Sequence, residues 1–330
     1  MQDENARIVS RIPDMGFVAE DEALQPASSD PFWQESFWVY WGDGQSDGGC
    51  VHVGQEINDG FGNIWASFFS EGVTYRRVAE HLPLDAELWR RGGHGAGGYR
   101  FEPSGGQTRI TARDADYEAD LLFTDFFPYP TLLPMFPGAN DPAKRVSGTH
   151  YQTPGRVTGT VRVGNRVISV DALAQRGHSW GARNHTVLRG HGSRWITGAF
   201  GPELSFSAYA AIRDDGSIVL AGFVIEDGAV QYTNDVDVVV EQGLDGVTYR
   251  GGRVTMTLPD GRRHRFDCVF DNVNLFQHHG VELTVTGGHM LREAKGQGWC
   301  AWEIKDRPPT PPGGVPFTLG CLVLDGLQQK

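Results

Sequence analysis

Short alternating segments separated by glycine turns run along most of this sequence. Residues 155–163 alternate polar and apolar side chains, Gly164 and Asn165 follow, and residues 166–170 alternate again. The same plan returns in residues 205–225. Alternation with a period of two is typical of β-strands, and a two-residue turn with glycine joins two such strands into a hairpin. The pattern therefore predicts an all-β protein built from antiparallel hairpins.

Composition and length favour two β domains. The chain has 44 glycines among 330 residues, about twice the usual frequency of roughly 7 %, which fits a protein with many turns. Residues 82–91 are the one segment that favours a short helix. A chain of this length is better accommodated by two barrels than by one very large sheet. We therefore expect antiparallel β-barrel or sandwich domains at residues 31–172 and 173–330, after a polar leader of residues 1–30.

Charge and cysteine spacing exclude several classes of function. The 29 basic and 41 acidic side chains give a formal charge of −12, which repels nucleic acid and anionic membranes. The sequence has neither an apolar run long enough for a membrane span nor the apolar segment of a secretory signal. Its four cysteines are scattered, without metal or redox spacing. We expect a cytoplasmic protein with free buried thiols, and we leave a homodimer open.

One predicted strand combines polar and aromatic residues. Arg176, His178 and Trp180 stand at alternate positions, and successive side chains of a strand point to opposite faces, so these three share a face. A face with a large indole normally looks inward, because exposing that apolar surface is unfavourable. The strand therefore places a cation and an imidazole beside an aromatic wall in the interior, where polar groups need partners or a function.

Residues 150–183 resemble the signature segment of a known superfamily. The segment begins with His-Tyr-Gln at residues 150–152, continues through the strand at residues 155–163, and ends with Arg-Gly-His-Ser-Trp-Gly-Ala-Arg at residues 176–183. This pattern is similar to that of the lipocalin-related superfamily that includes carotenoid 1,2-hydratase (hydroxyneurosporene synthase) and the AttH-like proteins. The match is specific over residues 145–185 and only architectural elsewhere.

The resemblance implies two tandem lipocalin-like (calycin-type) β domains with a hydrophobic cavity and no organic cofactor. Characterised members hydrate, cyclise or rearrange apolar isoprenoids and polyketides with acid and base side chains. One departure limits the comparison. Where hydratase-like members carry an acidic residue just before the Ser/Thr-Trp-Gly core, this chain has Gly177 and then His178. That acid cannot be carried over, and a histidine suits acid–base chemistry near neutral pH better than it suits alkene protonation.

Four polar residues of this region are candidates for catalysis. His178 can act as a general acid or base, with its tautomer set by a carboxylate such as Asp171, or it can be a core imidazole that backbone groups satisfy. Arg176 can hold a carboxylate or phenolate, or it can form a structural ion pair with Asp171 or Glu303. Tyr151 can donate to a substrate oxygen or be a buried structural tyrosine.

Residues 298–303 form a second group of candidates. Alternation places Trp299 and Glu303 on one face. Burial among aromatic rings would raise the pKa of Glu303 and make it an acid catalyst, whereas a solvated glutamate at a barrel rim is the alternative. His278 and His279 are adjacent, so only one of them can face a cavity.

Aromatic residues are the candidates for the wall of a substrate cavity. Most of them are expected to pack the cores of the two domains, and some to line a cavity for an aromatic or isoprenoid ligand. The predicted substrate-contacting residues are Trp38, Trp41, Trp65, Phe69, Trp180, His278 and Trp299.

No metal site is predicted. The 11 histidines include no His-x-His or His-x-x-x-His pair, and no cluster of cysteine and histidine is visible. Ligands gathered from separate strands stay open as an alternative.

The sequence thus predicts a cofactor-independent lyase, hydratase or isomerase for a small hydrophobic terpenoid or aromatic molecule, with His178 as the proton shuttle. The alternative is a non-catalytic carrier of a hydrophobic ligand, and a structural module is the least favoured class. Converging ionisable groups with shifted pKa values in the cavity would favour an enzyme. An apolar lining with a single polar anchor would favour a carrier.

Overall fold

The computed structural model describes residues 19–127, 149–183, 192–212, 218–243, 248–278, 281–292, 296–305 and 321–323. These residues are almost entirely β-strands and fall into two compact units, one up to residue 183 and one from residue 192 onward. The prediction of an all-β protein with two β domains is confirmed. No helix among these residues has the length and apolar character that a membrane crossing requires.

The first unit is a ten-stranded antiparallel sheet. In chain order its strands are β1 (Trp33–Gly42), β2 (Gly48–Glu56), β3 (Phe61–Ser70), β4 (Val73–Pro83), β5 (His94–Ala96), β6 (Tyr99–Ser104), β7 (Gln107–Arg113), β8 (Tyr117–Asp125), β9 (Thr149–Val163) and β10 (Arg166–Ala182). Their order in space is β4-β3-β2-β1-β10-β9-β8-β7-β6-β5. An isolated bridge between Leu84 and Ala96 links the two edges, so the sheet forms a nearly closed barrel.

The second unit is a ten-stranded sheet that forms a half-barrel. In chain order its strands are β11 (Gly192–Gly201), β12 (Leu204–Ile212), β13 (Ile218–Glu226), β14 (Ala229–Thr233), β15 (Val236–Gln242), β16 (Tyr249–Thr257), β17 (Arg263–His278), β18 (Val281–Arg292), β19 (Gly296–Lys305) and β20 (Cys321–Val323). Their order in space is β14-β13-β12-β11-β19-β18-β17-β16-β15-β20. The β15–β20 pair is parallel, and the other pairs are antiparallel.

The hairpin that the alternating pattern predicts is formed by β9 and β10. Val163 pairs with Arg166 across the turn. Gly164 has a φ of 56°, in the left-handed region that glycine adopts without steric cost. The second predicted hairpin is formed by β12 and β13, whose turn lies outside the described residues.

Two helical segments accompany the first sheet. A 3₁₀ turn spans Ala19–Glu22, and helix α1 spans Ala86–Arg90, within the segment predicted to be helical. The side chain of Asp85 caps α1 because it accepts a hydrogen bond from the backbone N–H of Leu88 at 3.0 Å.

The division between the units differs from the predicted one. Strand β10 pairs with β9 over residues 166–180 and with β1 over residues 173–182, so the whole strand belongs to the first sheet. The predicted boundary after residue 172 therefore falls inside β10, and the observed division follows residue 184. The reason is that the signature strand completes the first barrel rather than beginning the second domain.

Each unit has its own hydrophobic core. On β1, Phe37, Val39 and Trp41 point into the first core, and Glu35 stands at the preceding position of the same alternation. The antiparallel order brings the beginnings of β1 and β9 and the ends of β8 and β10 to one end of the barrel. The sequence therefore directs a glutamate into an apolar barrel, at the end where β10 brings His178.

Candidate active site

Three ionisable side chains meet inside the first barrel. The Nε2 atom of His178 lies 2.7 Å from Oε1 of Glu35, and Nδ1 of His94 lies 3.8 Å from the same oxygen. All three side chains have an exposed fraction of 0 %. Burying ionisable groups is costly unless they are neutral or paired, so this cluster is a departure from ordinary core packing.

Sheet register and barrel closure bring the three residues together. Strand β1 places Glu35 beside His178 of β10, because Phe37 pairs with His178 and Glu35 with Trp180. His94 comes from β5, at the edge that barrel closure brings across. The ring of Phe37 lies 3.8 Å, centroid to centroid, from each of the two imidazoles. Phe37 thus packs against both imidazole rings.

Burial keeps the cluster neutral. Loss of solvent raises the pKa of Glu35 from 4.5 to about 9, and a hydrogen bond from the Gln25 backbone opposes this only partly. Burial also lowers the pKa of His94 to about 3 and that of His178 well below its ordinary value of 6.5. At neutral pH, Glu35 is therefore a carboxylic acid whose O–H donates to the unprotonated Nε2 of His178.

The tautomer of His94 is set by a backbone carbonyl. Its Nε2 lies 3.0 Å from the carbonyl oxygen of Glu22, which can only accept, so the ring proton resides on Nε2. Nδ1 lies 3.2 Å from Oε1 of Gln55, whose Nε2 donates to the carbonyl oxygen of Gly95 at 3.5 Å. The side chain of His94 is therefore held from both sides of its ring, at 3.8 Å from Glu35.

Arg176 forms a buried ion-pair network beside the cluster. Its Nε and Nη2 donate to the carboxylate of Asp125 at 2.9 and 2.8 Å, and its Nη1 and Nη2 donate to that of Glu22 at 2.9 and 2.7 Å. Burial raises the pKa of Asp125, and Arg176 opposes that rise. The guanidinium is thus fixed in place by two bidentate pairs.

Aromatic rings complete the wall around His178. The ring of Trp180 lies 4.5 Å from the imidazole, and that of Tyr151 lies 5.5 Å from it, edge to face. The guanidinium carbon of Arg176 lies 5.8 Å from the centroid of Tyr151. Burial raises the pKa of Tyr151 well above 10, so its hydroxyl keeps its proton. Trp180 is half-buried, so it forms the rim of this wall.

Residues 19–25 cover the cluster. This covering segment comprises the 3₁₀ turn and the three residues that follow it. The Glu22 carbonyl accepts from His94, the Glu22 carboxylate binds Arg176, and the Gln25 N–H lies 3.1 Å from both carboxyl oxygens of Glu35. The segment therefore closes this end of the barrel through contacts with the candidate site itself.

A comparison with known protein families assigns the chain to one of them. A family model described as "Domain of unknown function (DUF7064)" matches residues 18–306. The chain belongs to this family. No curated protein matches the sequence.

Solved structures share the fold of this DUF7064 protein. A putative AttH from Nitrosomonas europaea superposes with a TM-score of 0.63 at 14 % identity, over 91 % of this chain and all (100 %) of that one. CghA with Sch210972 gives 0.56 at 11 % identity, over 86 % and 93 % of the two chains. Kievitone hydratase from Nectria haematococca gives 0.52 at 10 % identity, over 86 % and 91 %. The resemblance to the superfamily of carotenoid hydratase and the AttH-like proteins is confirmed at the level of the fold.

The structure brings some of the predicted site residues together. Tyr151, Arg176, His178 and Trp180 share the barrel interior, as alternation along β10 predicts. Arg176 is ion-paired, but its partners differ from the predicted Asp171 and Glu303. No pattern in the sequence groups Glu22, Glu35, His94 and Asp125 with them, although Glu35 shares the alternation of an aromatic strand.

Asp171 is not a partner of His178 in this DUF7064 protein. Asp171 and His178 are seven residues apart on β10, and an odd separation along a strand places two side chains on opposite faces of the sheet. Its carboxylate is exposed and lies 2.5 Å from Nε of Arg156, which lowers the pKa of Asp171. The predicted carboxylate partner is therefore replaced by Glu35, from the neighbouring strand.

Most predicted cavity residues lie away from the cluster. Trp41 packs in the first core, whereas Trp38 and Trp65 lie on the opposite face, where Tyr40 contacts both rings. Phe69 is half-buried near the end of β3. Trp299 and Glu303 belong to β19 of the second unit, Trp299 buried and Glu303 half-buried. The side chain of His278, at the end of β17, lies outside the described residues.

Glu35, His94 and His178 are also the one group in the described residues whose donor atoms could share a metal ion, since these atoms lie within 4.8 Å of one another. The residues come from three separate strands, the arrangement that spacing in sequence cannot reveal. The 2.7 Å separation between Glu35 and His178 is that of a hydrogen bond, so in this structure the two side chains share a proton. We therefore describe the group as a proton-sharing cluster and assign no metal to it.

Proposed function

We propose that this DUF7064 protein is an enzyme that moves protons on a small hydrophobic molecule, as a lyase, hydratase or isomerase without an organic cofactor. The observation that carries the proposal is the 2.7 Å contact between Oε1 of Glu35 and Nε2 of His178, both fully buried among aromatic rings, where burial raises the pKa of Glu35 to about 9 and lowers that of His178. A protonated acid and an unprotonated base side by side are the two groups that general acid–base catalysis requires.

The pair supports the elimination of water beside a carbonyl group, and its reversal. In this step the O–H of Glu35 turns from Nε2 of His178 to the departing hydroxyl, which frees the lone pair of Nε2. His178 then takes the proton from the carbon next to the carbonyl while Glu35 gives its proton to the hydroxyl, so the substrate becomes an unsaturated carbonyl compound and water. The proton then passes from Nε2 of His178 to Glu35 across their 2.7 Å hydrogen bond, which restores the starting state. An acid with a pKa of about 9 is suited to a leaving oxygen rather than to an isolated alkene.

The surroundings support an apolar substrate. Phe37, Tyr151 and Trp180 line the two imidazoles, and apolar surface of this kind binds isoprenoid or aromatic groups. One protein of the same fold is named a hydratase, a member of the reaction class proposed here. That likeness supports the fold, and the reaction is argued from the cluster.

An enzyme explains the cluster better than a carrier does. A carrier needs an apolar lining and one polar anchor, whereas this barrel contains an acid, two imidazoles and a guanidinium network. Several converging groups with shifted pKa values are typical of catalytic sites. A carrier nevertheless makes a distinct prediction, namely binding without conversion.

The test uses a small aromatic β-hydroxy ketone, 4-hydroxy-4-phenylbutan-2-one, its dehydration product, and an acyclic isoprenoid alcohol. The purified protein is incubated with each compound in ¹⁸O-labelled water, and loss or gain of water is followed by mass spectrometry. We expect conversion of at least one compound, unchanged by EDTA. Glu35→Gln and His178→Gln are expected to reduce the rate about 10²–10⁴-fold, the range for loss of a general acid or base.

The matched control is Glu118→Gln, which removes an exposed carboxyl of β8. It is expected to leave the rate unchanged, and all three variants are expected to remain folded. Conversion that survives both Glu35→Gln and His178→Gln would refute the proposed pair. Saturable binding of these compounds without conversion of any of them would favour the carrier instead.

A further inference from the structure

Two carboxylates of different origin share the guanidinium of Arg176. Asp125 is the last residue of β8, so it belongs to the barrel wall. Glu22 belongs to a four-residue 3₁₀ turn whose contacts with the wall are side-chain and backbone hydrogen bonds at the site. Asp125 is thus part of the sheet, whereas Glu22 belongs to a segment outside the sheet that is held against it by hydrogen bonds.

The local charge is unbalanced. The side chains of Arg176, Glu22 and Asp125 have exposed fractions of 1 %, 10 % and 9 %. The neighbouring Glu35 and histidines are neutral, so one cation faces two buried carboxylates. The two carboxylates satisfy the hydrogen-bond donors of the guanidinium at both of its edges. The buried group of three nevertheless carries one excess negative charge, which is unfavourable away from water. Asp125 alone would neutralise Arg176, and Glu22 is the carboxylate that can depart with its segment.

We propose that Glu22 occupies a binding subsite for the carboxylate of an amphipathic ligand, and that residues 19–25 leave the barrel end when such a ligand binds. The ligand class is a hydrophobic molecule with a carboxylate at one end. Arg176, held by Asp125, binds the carboxylate in a bidentate manner, and the hydroxyl of Tyr151 stands beside it. The subsite gives the class of substrate for the proposed reaction. The role of the bound molecule as a substrate rests on the proposed function, whereas its binding at Arg176 does not.

The subsite is placed to direct a ligand over the acid–base pair. Arg176 and His178 are two residues apart on one face of β10, which sets them roughly 7 Å apart along the strand. A ligand bound at Arg176 would extend past the ring of Tyr151 toward His178 and Trp180. When the covering segment leaves, the Gln25 N–H also leaves the carboxyl group of Glu35. Binding of the ligand at Arg176 therefore also makes the carboxyl group of Glu35 accessible to that ligand.

The first experiment measures rescue of Glu22→Ala by acetate. This substitution removes the internal carboxylate and leaves Arg176 paired with Asp125. Sodium acetate at 100 mM is expected to raise the melting temperature of Glu22→Ala by about 2–4 °C over sodium chloride of equal ionic strength, because acetate binds only the folded state. Wild type and Glu20→Ala are expected to show no such difference. Glu20 is the matched control, since it is an exposed glutamate of the same turn.

The second experiment separates charge from apolar burial. Decanoate and decanol are titrated calorimetrically into wild type, Glu20→Ala, Glu22→Ala and Glu22→Gln. We expect Glu22→Ala to bind decanoate about tenfold or more tightly than wild type does, with little gain for decanol. Glu22→Gln retains the size of the side chain and should give an intermediate gain, and it replaces Glu22→Ala if that variant fails to fold.

The outcomes decide between this subsite and the proposed function. Equal gains for decanoate and decanol, or a melting temperature of Glu22→Ala that responds to acetate and chloride alike, would overturn the carboxylate subsite. Binding of decanoate should persist when Glu35→Gln is added to Glu22→Ala, because Glu35 is not a ligand of the carboxylate. Absence of conversion by the wild type, with the expected decanoate binding intact, therefore rejects only the catalytic proposal. Conversion by the wild type without a gain in decanoate affinity for Glu22→Ala rejects only the subsite.

Discussion

At the scale of single residues, the protonation of Glu35 links the site to the stability of the protein. The titratable and charged side chains around it are those of Glu22, His94, Asp125, Tyr151, Arg176 and His178. Burial raises the pKa of Glu35 above its unfolded value, so its contribution to stability is fully present below pH 4.5 and lost as the pH rises to about 9. The two histidines have lowered pKa values, so their contribution is present above pH 6.5 and lost as the pH falls, toward about 3 in the case of His94.

The window between pH 6.5 and about 8 therefore separates Glu35 from the two histidines, and it ends below the pKa of an unfolded cysteine, so buried thiols such as Cys300 add little to the slope. Between these values the folded protein holds a proton on Glu35 that the unfolded chain has released. We expect the free energy of unfolding to fall by up to about 1.4 kcal/mol per pH unit in this window. Glu35→Gln should remove that slope, and Glu20→Gln should retain it. Urea unfolding at half-unit pH intervals measures it, and equal slopes in wild type and Glu35→Gln would show that Glu35 is ionised when folded.

At the scale of the strand, alternation identified half of the site. Arg176, His178 and Trp180 could be assigned to one interior face because a strand fixes the direction of its own side chains. Glu35 and His94 could not be found this way, since their contact with His178 depends on sheet register and on closure of the barrel. Even so, the odd separation between Asp171 and His178 already indicated that they lie on opposite faces of the strand, and this could have been seen in the sequence.

The glycine that departs from the hydratase-like pattern also has a structural reason. Gly177 pairs with Trp38 of β1, and a Cβ atom at position 177 would lie 2.5 Å from ring atoms of that tryptophan. An acidic side chain cannot be accommodated there, and position 177 faces Trp38, on the sheet face opposite that of Glu35 and His178. The register of β1 and β10 thus explains the glycine at position 177, and it separately brings Glu35 of β1 beside His178.

This contact predicts a non-additive pair of substitutions. Gly177→Ala should reduce the free energy of unfolding by roughly 1–3 kcal/mol, because overpacking displaces a buried indole. Trp38→Ala creates the room that the added methyl group needs. In the double variant, the further loss caused by Gly177→Ala should therefore be much smaller than in wild type. Urea unfolding of the four proteins measures the coupling, and additive losses would show that Trp38 does not restrict position 177.

At the scale of the whole molecule, the fold could be predicted more fully than the site. Hairpin spacing and glycine turns indicate strands locally, and chain length then favours two β domains. The division at residue 184 rather than 172 was missed, because which sheet accepts β10 is a matter of long-range pairing. All the residues of the proposed site belong to the first unit: Glu22, Glu35, His94, Asp125, Tyr151, Arg176 and His178.

Because the site is built entirely within the first unit, its chemistry should be separable from the stability of the second. Ile304 is buried in the second core, and Ile304→Ala should lower the free energy of unfolding by about 2–5 kcal/mol. In the folded variant, the infrared carbonyl band of protonated Glu35, assigned by its loss in Glu35→Gln, should stay unchanged. Phe101→Leu, in the first core, is the counterpart and should shift that band, because the ring of Phe101 lies 5.7 Å from that of Phe37, which packs against both imidazoles. A shift with Ile304→Ala but not with Phe101→Leu would contradict this placement, because packing around Glu35 sets the environment of its proton.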